Sequence, residues 1–179
     1  YNVYGPTECT CICSSYEVTN ADFEDMTGLP PLGDMAEPFT YLLLGEDLKP
    51  ATQGELLLLG PNVGIGYYND ETLTNKSFVQ NPTHSKYLDF GYKTGDLLTL
   101  NSNDGKLYFV ARKDNQIKHM GYRIELDEIE GALNLLDCVA EAAVVHGTIR
   151  GVSQIVAVIH SRFDCTEQEI AKQLRVTLP

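Results

Sequence analysis

Asn103-Asp104-Gly105, set between the apolar stretches Leu97–Leu100 and Lys106–Val110, is the feature that most limits how this chain can fold. Asp-Gly favours the tight reversal of a two-stranded hairpin, so the two stretches are expected to pair across it. Upstream, Tyr41-Leu42-Leu43-Leu44 reads as a strand, Gly45-Glu46-Asp47 as a turn, and Glu55-Leu56-Leu57-Leu58-Leu59 as a second strand. Gly60 to Tyr68 is punctuated by glycine, and Asn69 to Phe78 reads as a short helix. Residues from about 41 to 110 therefore predict a small, mostly antiparallel β-domain. Ahead of it, Tyr1 to Val18 is rich in Tyr, Val, Thr and Cys with a Gly5-Pro6 break. That pattern predicts a strand end, a tight turn, then a short helix or strand. Asn20 to Phe39 is expected to be a polar, proline-bearing loop.

After Ala111 the pattern changes. Ile129, Leu133 and Leu136 fall on one helical face behind Asp127 and Glu128, acids that suit a helix start. Ala140 to His146 and Ser153 to Ser161 read as strands, with Gly147 and Gly151 bounding their connection. Thr166 with Glu169 forms a capping box ahead of Ile170, Ala171 and Leu174. A compact α+β unit thus follows the β-domain, joined to it at about Arg112 to Asp114.

With 43% hydrophobic residues the chain can bury a real core. A net charge of −12 speaks against non-specific nucleic-acid binding, which depends on cationic side chains neutralising phosphates. Five of the thirteen basic residues nevertheless fall between positions 106 and 123: Lys106, Arg112, Lys113, Lys118 and Arg123. An acidic protein with one cationic segment suits a small anion better than a polymer. No apolar run approaches the roughly 20 residues that span a bilayer, and no signal peptide is visible. Cys9, Cys11 and Cys13 alternate, which on a strand would put them on one face. Without paired CxxC spacing or nearby histidines they read as buried, reduced thiols of a cytoplasmic protein.

Tyr4-Gly5-Pro6-Thr7-Glu8 combines an aromatic ring, a turn, a hydroxyl and a carboxylate. Those parts suit a nucleotide: a ring for adenine, a hydroxyl for a phosphate oxygen and an acid for magnesium. Three later segments keep it company: Gly54-Glu55-Leu56, Tyr92-Lys93-Thr94-Gly95-Asp96, and the run from Arg112 to Glu130. In order and spacing the four resemble the adenylate-forming enzymes, and within them the amino-acid adenylation domains of nonribosomal peptide synthetases and D-alanine–carrier-protein ligases. The fold class this resemblance implies is α+β. Residues 1–111 would be the remainder of a large AMP-binding domain, with a β-barrel-like subdomain at about 41–110. Residues 112–179 would be a small, mobile and incomplete C-terminal domain.

The resemblance also implies roles. Asn2, Tyr4, Gly5 and Thr7 would belong to the nucleotide site, Tyr4 stacking on adenine and Thr7 contacting the α-phosphate. Glu8 would hold Mg2+, and with Thr7 would act in catalysis. Asp96 would take both ribose hydroxyls, with Arg112 also reaching the ribose and Lys118 near the adenylate. Asp114 would be the interdomain hinge, and Gly121 would line the channel for a phosphopantetheine arm. Val3, Cys11 and Ile12 would line a side-chain pocket suited to a modest, uncharged amino acid. Gly64-Ile65-Gly66 lacks the third glycine of a dinucleotide fingerprint. Charge-assisted hydrogen bonds are worth about 1.5–3 kcal/mol and stacking about 0.5–1.5, so Asp96 is expected to matter more than Tyr4.

Two departures from the family pattern are Ala111, where glycine usually precedes the arginine, and His119-Met120, where a hydrophobic-basic pair is commoner. The family's glycine-rich phosphate loop would lie before Tyr1 and its catalytic lysine beyond Pro179. The expected activity is ATP-dependent aminoacyl-AMP formation, then transfer to the thiol of a phosphopantetheinylated carrier protein, with these 179 residues inactive alone. No nucleic-acid or membrane partner is expected. The alternatives are an acyl-CoA ligase, or a catalytically silent remnant that docks a carrier.

Overall fold

The computed structural model describes residues 1–25, 29–149 and 151–178, which form two compact units, Tyr1–Lys113 and Asp114–Pro179. In the first unit, β1 (Asn2–Tyr4), β2 (Ser14–Tyr16) and β3 (Asp34–Met35) form a small antiparallel sheet. A one-turn 3-10 helix, Thr7–Cys9, sits between β1 and β2, and a short helix α1 (Asp22–Asp25) precedes β3. The described residues of the proline-bearing stretch 20–39 thus carry two short elements, α1 and β3.

The predicted β-domain is a five-stranded sheet, antiparallel in every pair, built from β4 (Thr40–Leu44), β5 (Gln53–Leu59), β6 (Phe78–Gln80), β7 (Phe90–Leu100) and β8 (Leu107–Arg112). β7 is the spine. β5 runs along one edge of it, while β6 and β8 share the other edge at its two ends. The β7–β8 hairpin closes across residues 101–106, as the Asp104-Gly105 pair predicts. Helix α2 (Glu71–Ser77) is capped by Asp70, whose carboxylate accepts the Leu73 N–H at 2.9 Å.

The leucine run in β5 has a physical reason. Successive side chains on a strand point to opposite faces. Leu56 and Leu58 enter the main core with Leu43, Phe78, Tyr92 and Leu98, whereas Leu57 and Leu59 join Leu44 on the other face. A strand buried on both sides needs a continuous apolar run rather than an alternating one. Each leucine so buried contributes about 1.5–3 kcal/mol.

The cysteine pattern is resolved differently from its expectation. Cys9, Cys11 and Cys13 do not share one strand face, because Thr10 and Cys11 take left-handed backbone (φ 60° and 79°) and turn the chain back on itself. Cys9 and Cys13 are buried while Cys11 is exposed.

In the second unit, β9 (Gln116–His119) and β10 (Tyr122–Glu125) form a hairpin. Helix α3 (Leu126–Asn134) and the long antiparallel pair β11 (Val139–Ile149) and β12 (Val152–Ser161) follow. Helix α4 (Glu167–Thr177) ends the unit. Leu126, Leu133, Val139, Ala142, Val144 and Ile170 are buried in its own core. Strand β11 runs through Gly147 rather than stopping there, and Leu136 falls past the end of α3. No helix among the described residues is long and apolar enough to cross a membrane.

Candidate functional site

The site grows from the way residues 4–13 are folded. The Cys13 N–H donates to the Tyr4 carbonyl at 2.7 Å, closing a loop that brings the backbone of Cys11 against Gly5. A Cβ at Gly5 would lie 1.7 Å from the Cys11 carbonyl oxygen, so no other residue fits there. Pro6 is extended, and the turn Thr7–Cys9 closes through Cys9 N–H to Pro6 O (3.0 Å) and Thr10 N–H to Thr7 O (3.1 Å). Thr7 is consequently exposed and Glu8 half-buried.

Asp96 is the centre of the arrangement. It lies directly opposite Arg112 in the β7–β8 pairing, and Arg112 Nη1 donates to its Oδ1 at 2.7 Å. The Tyr4 hydroxyl donates to Oδ2 at 2.5 Å. Asp96 is only 7% exposed, so this pair of donors is what makes a buried carboxylate tolerable. An ionised carboxylate offers about four acceptor positions, and these donors occupy two of them. Burial, and then the charge of Asp96, push the Tyr4 phenol far above its usual range. Tyr4 therefore stays a donor at any physiological pH.

Glu8 is held from another side. Tyr67 donates its hydroxyl to Glu8 Oε1 at 2.7 Å and lies 3.3 Å from the Tyr92 hydroxyl. Phe78 packs against both rings, with centroids 5.5 Å from Tyr67 and 5.1 Å from Tyr92. The Glu8 carbonyl accepts the Gly64 N–H at 2.7 Å. Mg2+ is usually bound through one or two carboxylates together with substrate phosphates and water. A single oriented carboxylate such as Glu8 fits that donor set.

The other predicted residues are placed as follows. Asn2 uses its amide to hold the loop at Pro31 O (2.9 Å) and Pro30 O (3.4 Å). Val3, Cys11 and Ile12 are all solvent-exposed. Asp114, Lys118 and Gly121 belong to the second unit. Asp114 is exposed and accepts the Gln116 N–H at 3.2 Å, and Lys118 is exposed on β9. Met120 (φ 50°) and Gly121 (φ 87°) are the two central residues between the paired His119 and Tyr122. That is the hairpin turn that requires left-handed backbone twice. A Cβ at Gly121 would meet nothing within 4 Å, so within this unit the turn, rather than a crowded neighbour, accounts for the glycine.

Sequence reasoning missed Tyr67, Glu55 and Thr94. Tyr67 stood in view beside Gly66, but nothing local links it to Glu8, 59 positions away. Glu55 is 5% exposed, a buried acid inside an apolar strand, and that mismatch was the available signal.

No family model matches the chain. It is 34% identical over 163 residues to the D-alanine–D-alanyl carrier protein ligase of Lacticaseibacillus casei, covering 88% of this chain and 31% of that protein. It is 36% identical over 181 residues to surfactin synthase subunit 2 of Bacillus subtilis, covering 99% of this chain and 5% of that protein. Among solved structures it is similar to PA1221, a nonribosomal peptide synthetase protein containing adenylation and PCP domains. There the TM-score is 0.77 at 30% identity, over 96% of this chain and 35% of that one. It is also similar to AB3403, a four-domain nonribosomal peptide synthetase bound to AMP and glycine. That match has a TM-score of 0.55 at 30% identity, over 98% of this chain and 13% of that one. The chain thus spans about a third or less of the length of these relatives.

Proposed function

Because the chain belongs to the adenylate-forming superfamily, among amino-acid adenylation domains and D-alanine–carrier-protein ligases, we propose that it is the C-terminal portion of an ATP-dependent amino-acid ligase. The substrate carboxylate attacks the α-phosphorus of ATP, pyrophosphate leaves, and an aminoacyl-AMP forms. The thiol of a phosphopantetheinylated carrier protein then attacks the acyl carbon and displaces AMP. The observation that carries this reading is Asp96, buried and oriented by Tyr4 and Arg112.

In this reading the Tyr4 ring lies against adenine and the exposed Thr7 hydroxyl donates to the α-phosphate. Glu8, steadied by Tyr67, would hold Mg2+, which would supply positive charge at the reacting phosphate. Arg112 serves both Asp96 and the ribose. Lys118 meets the adenylate, Asp114 acts as the hinge and the Gly121 turn borders the pantetheine channel. Val3, Cys11 and Ile12 complete the amino-acid pocket. All five cysteines are free thiols, which fits a reducing compartment and hence the cytoplasm.

The test is amino-acid-dependent pyrophosphate exchange by the intact protein that carries these residues, across a panel of amino and fatty acids. Exchange with one or a few amino acids is expected, and none from the 179 residues alone. Asp96→Ala is expected to raise the KM for ATP about 10- to 100-fold and Tyr4→Phe by less than tenfold, following the charge-assisted bonds each loses. A response to fatty acids alone, or an Asp96→Ala enzyme with unchanged KM for ATP, would overturn the reading.

A further inference from the structure

The segment that presents Asp96 is not regular strand. Between the pairs Glu55↔Leu97 and Leu57↔Lys93, β7 carries three residues, Thr94, Gly95 and Asp96, where β5 carries only Leu56. Gly95 takes φ 75°, a conformation that favours glycine. Such a bulge re-aims a side chain, but it withdraws backbone groups from the ladder in a buried strand.

Specific groups meet those losses. The Thr94 hydroxyl donates to Leu56 O at 3.0 Å and accepts the Asp96 N–H at 3.1 Å. The Gly95 N–H donates to Glu55 Oε1 at 3.3 Å, and the Gly95 carbonyl accepts the Lys113 N–H at 2.7 Å. Arg112 Nη1, besides reaching Asp96, donates to Thr94 O at 2.9 Å. Glu55 and Thr94 are 5% and 3% exposed. The Glu55 charge is matched by Lys113 Nζ at 3.0 Å and Lys93 Nζ at 3.5 Å, both on Oε2, which leaves Oε1 for the bulge.

We infer that Glu55 and Thr94 are positioning residues that hold the Thr94–Asp96 bulge and so set the aim of the Asp96 carboxylate. They thereby set the discrimination between a ribonucleotide and its 2′-deoxy counterpart. This rests on Asp96 being the ribose acceptor proposed above. Neither residue touches the nucleotide; both act by fixing where Asp96 points.

The experiment compares KM for ATP and for 2′-deoxy-ATP in pyrophosphate exchange by the intact ligase, for wild type, Thr94→Val and Glu55→Ala, with thermal melts alongside. Wild type is expected to favour ATP by about tenfold, the worth of one well-placed hydrogen bond. Both variants are expected to raise the KM for ATP by about tenfold more than the KM for 2′-deoxy-ATP, which still offers Asp96 its 3′-hydroxyl, while the KM for the amino acid stays within about twofold. The preference then collapses towards one. Thr94→Val keeps the side chain's shape and decides alone if Glu55→Ala does not fold. Retained wild-type preference in the folded variants, or a parallel rise for both nucleotides, overturns the inference alone. A wild-type enzyme indifferent to the 2′-hydroxyl, or without exchange, overturns the reading of Asp96 and the inference with it.

Discussion

Cys9 and Cys13 show how single residues in the first unit answer to their surroundings. Burial, then the neighbouring Cys13 and Glu8, push the Cys9 thiol from 9.0 up to about 12. Burial likewise pushes Cys13 up to about 11. In both cases the folded state holds its proton more tightly than the unfolded chain. The stability this gives is complete below about pH 9 and is lost as pH rises through the range 9 to 12. Urea unfolding at steps from pH 8 to 10.5 is expected to show a steeper loss for wild type than for Cys9→Ala/Cys13→Ala. Tyr4 and Tyr108 are raised too, but from a starting value of 10.0, so the thiols act first. At this scale the sequence identified most of the proposed site. Asp96 and Arg112 could be named from their motifs, whereas the support of Glu8 by Tyr67 could not. No local pattern specifies a contact between residues 59 positions apart.

At the scale of elements, local chemistry was the better guide. The predicted capping box on α4 is complete: Thr166 accepts the Glu169 N–H at 3.3 Å, and Glu169 Oε2 accepts the Thr166 N–H at 2.8 Å and hydroxyl at 2.9 Å. Helices this short draw little on intrinsic propensity, and of α4 only Ile170 is buried. Thr166→Ala is therefore expected to cost about 1 kcal/mol of second-unit stability, measurable by urea unfolding. The β9–β10 hairpin went unread for a related reason. Its turn is Met120-Gly121, and methionine at φ 50° carries none of the signal that an Asn or Asp in that place would. Its strands are four residues each, too short for an alternating pattern to mark them. The β7 bulge was equally hidden, because Thr94-Gly95-Asp96 gives no sign of how many partner residues it will face.

On the scale of the whole molecule, the chain has separate apolar cores in its two units, one around Leu56, Leu58 and Leu98 and another around Leu126, Leu133 and Val139. A buried leucine removed from either is expected to cost about 2–5 kcal/mol in its own unit. Amide exchange should reveal the separation. Leu133→Ala is expected to speed exchange in β12 and leave β5 unchanged, and Leu56→Ala to do the reverse. Equal acceleration in both strands would mean that the two units unfold as one.

By itself the sequence determined what is written in short-range pattern: the family motifs, the Asp-Gly hairpin, the α4 capping box and the leucine-rich strand. These rest on interactions across a few residues, or on a periodicity visible in one segment. Only the tertiary structure decided which polar side chains meet. Tyr4 and Asp96 are 92 positions apart, and Glu55 and Lys113 are 58 apart. Their meeting depends on strand register and on one bulge, and a slip of a single residue would turn each side chain to the opposite face. That dependence is why the motifs could be recognised in the sequence while the positioning groups beneath them could not.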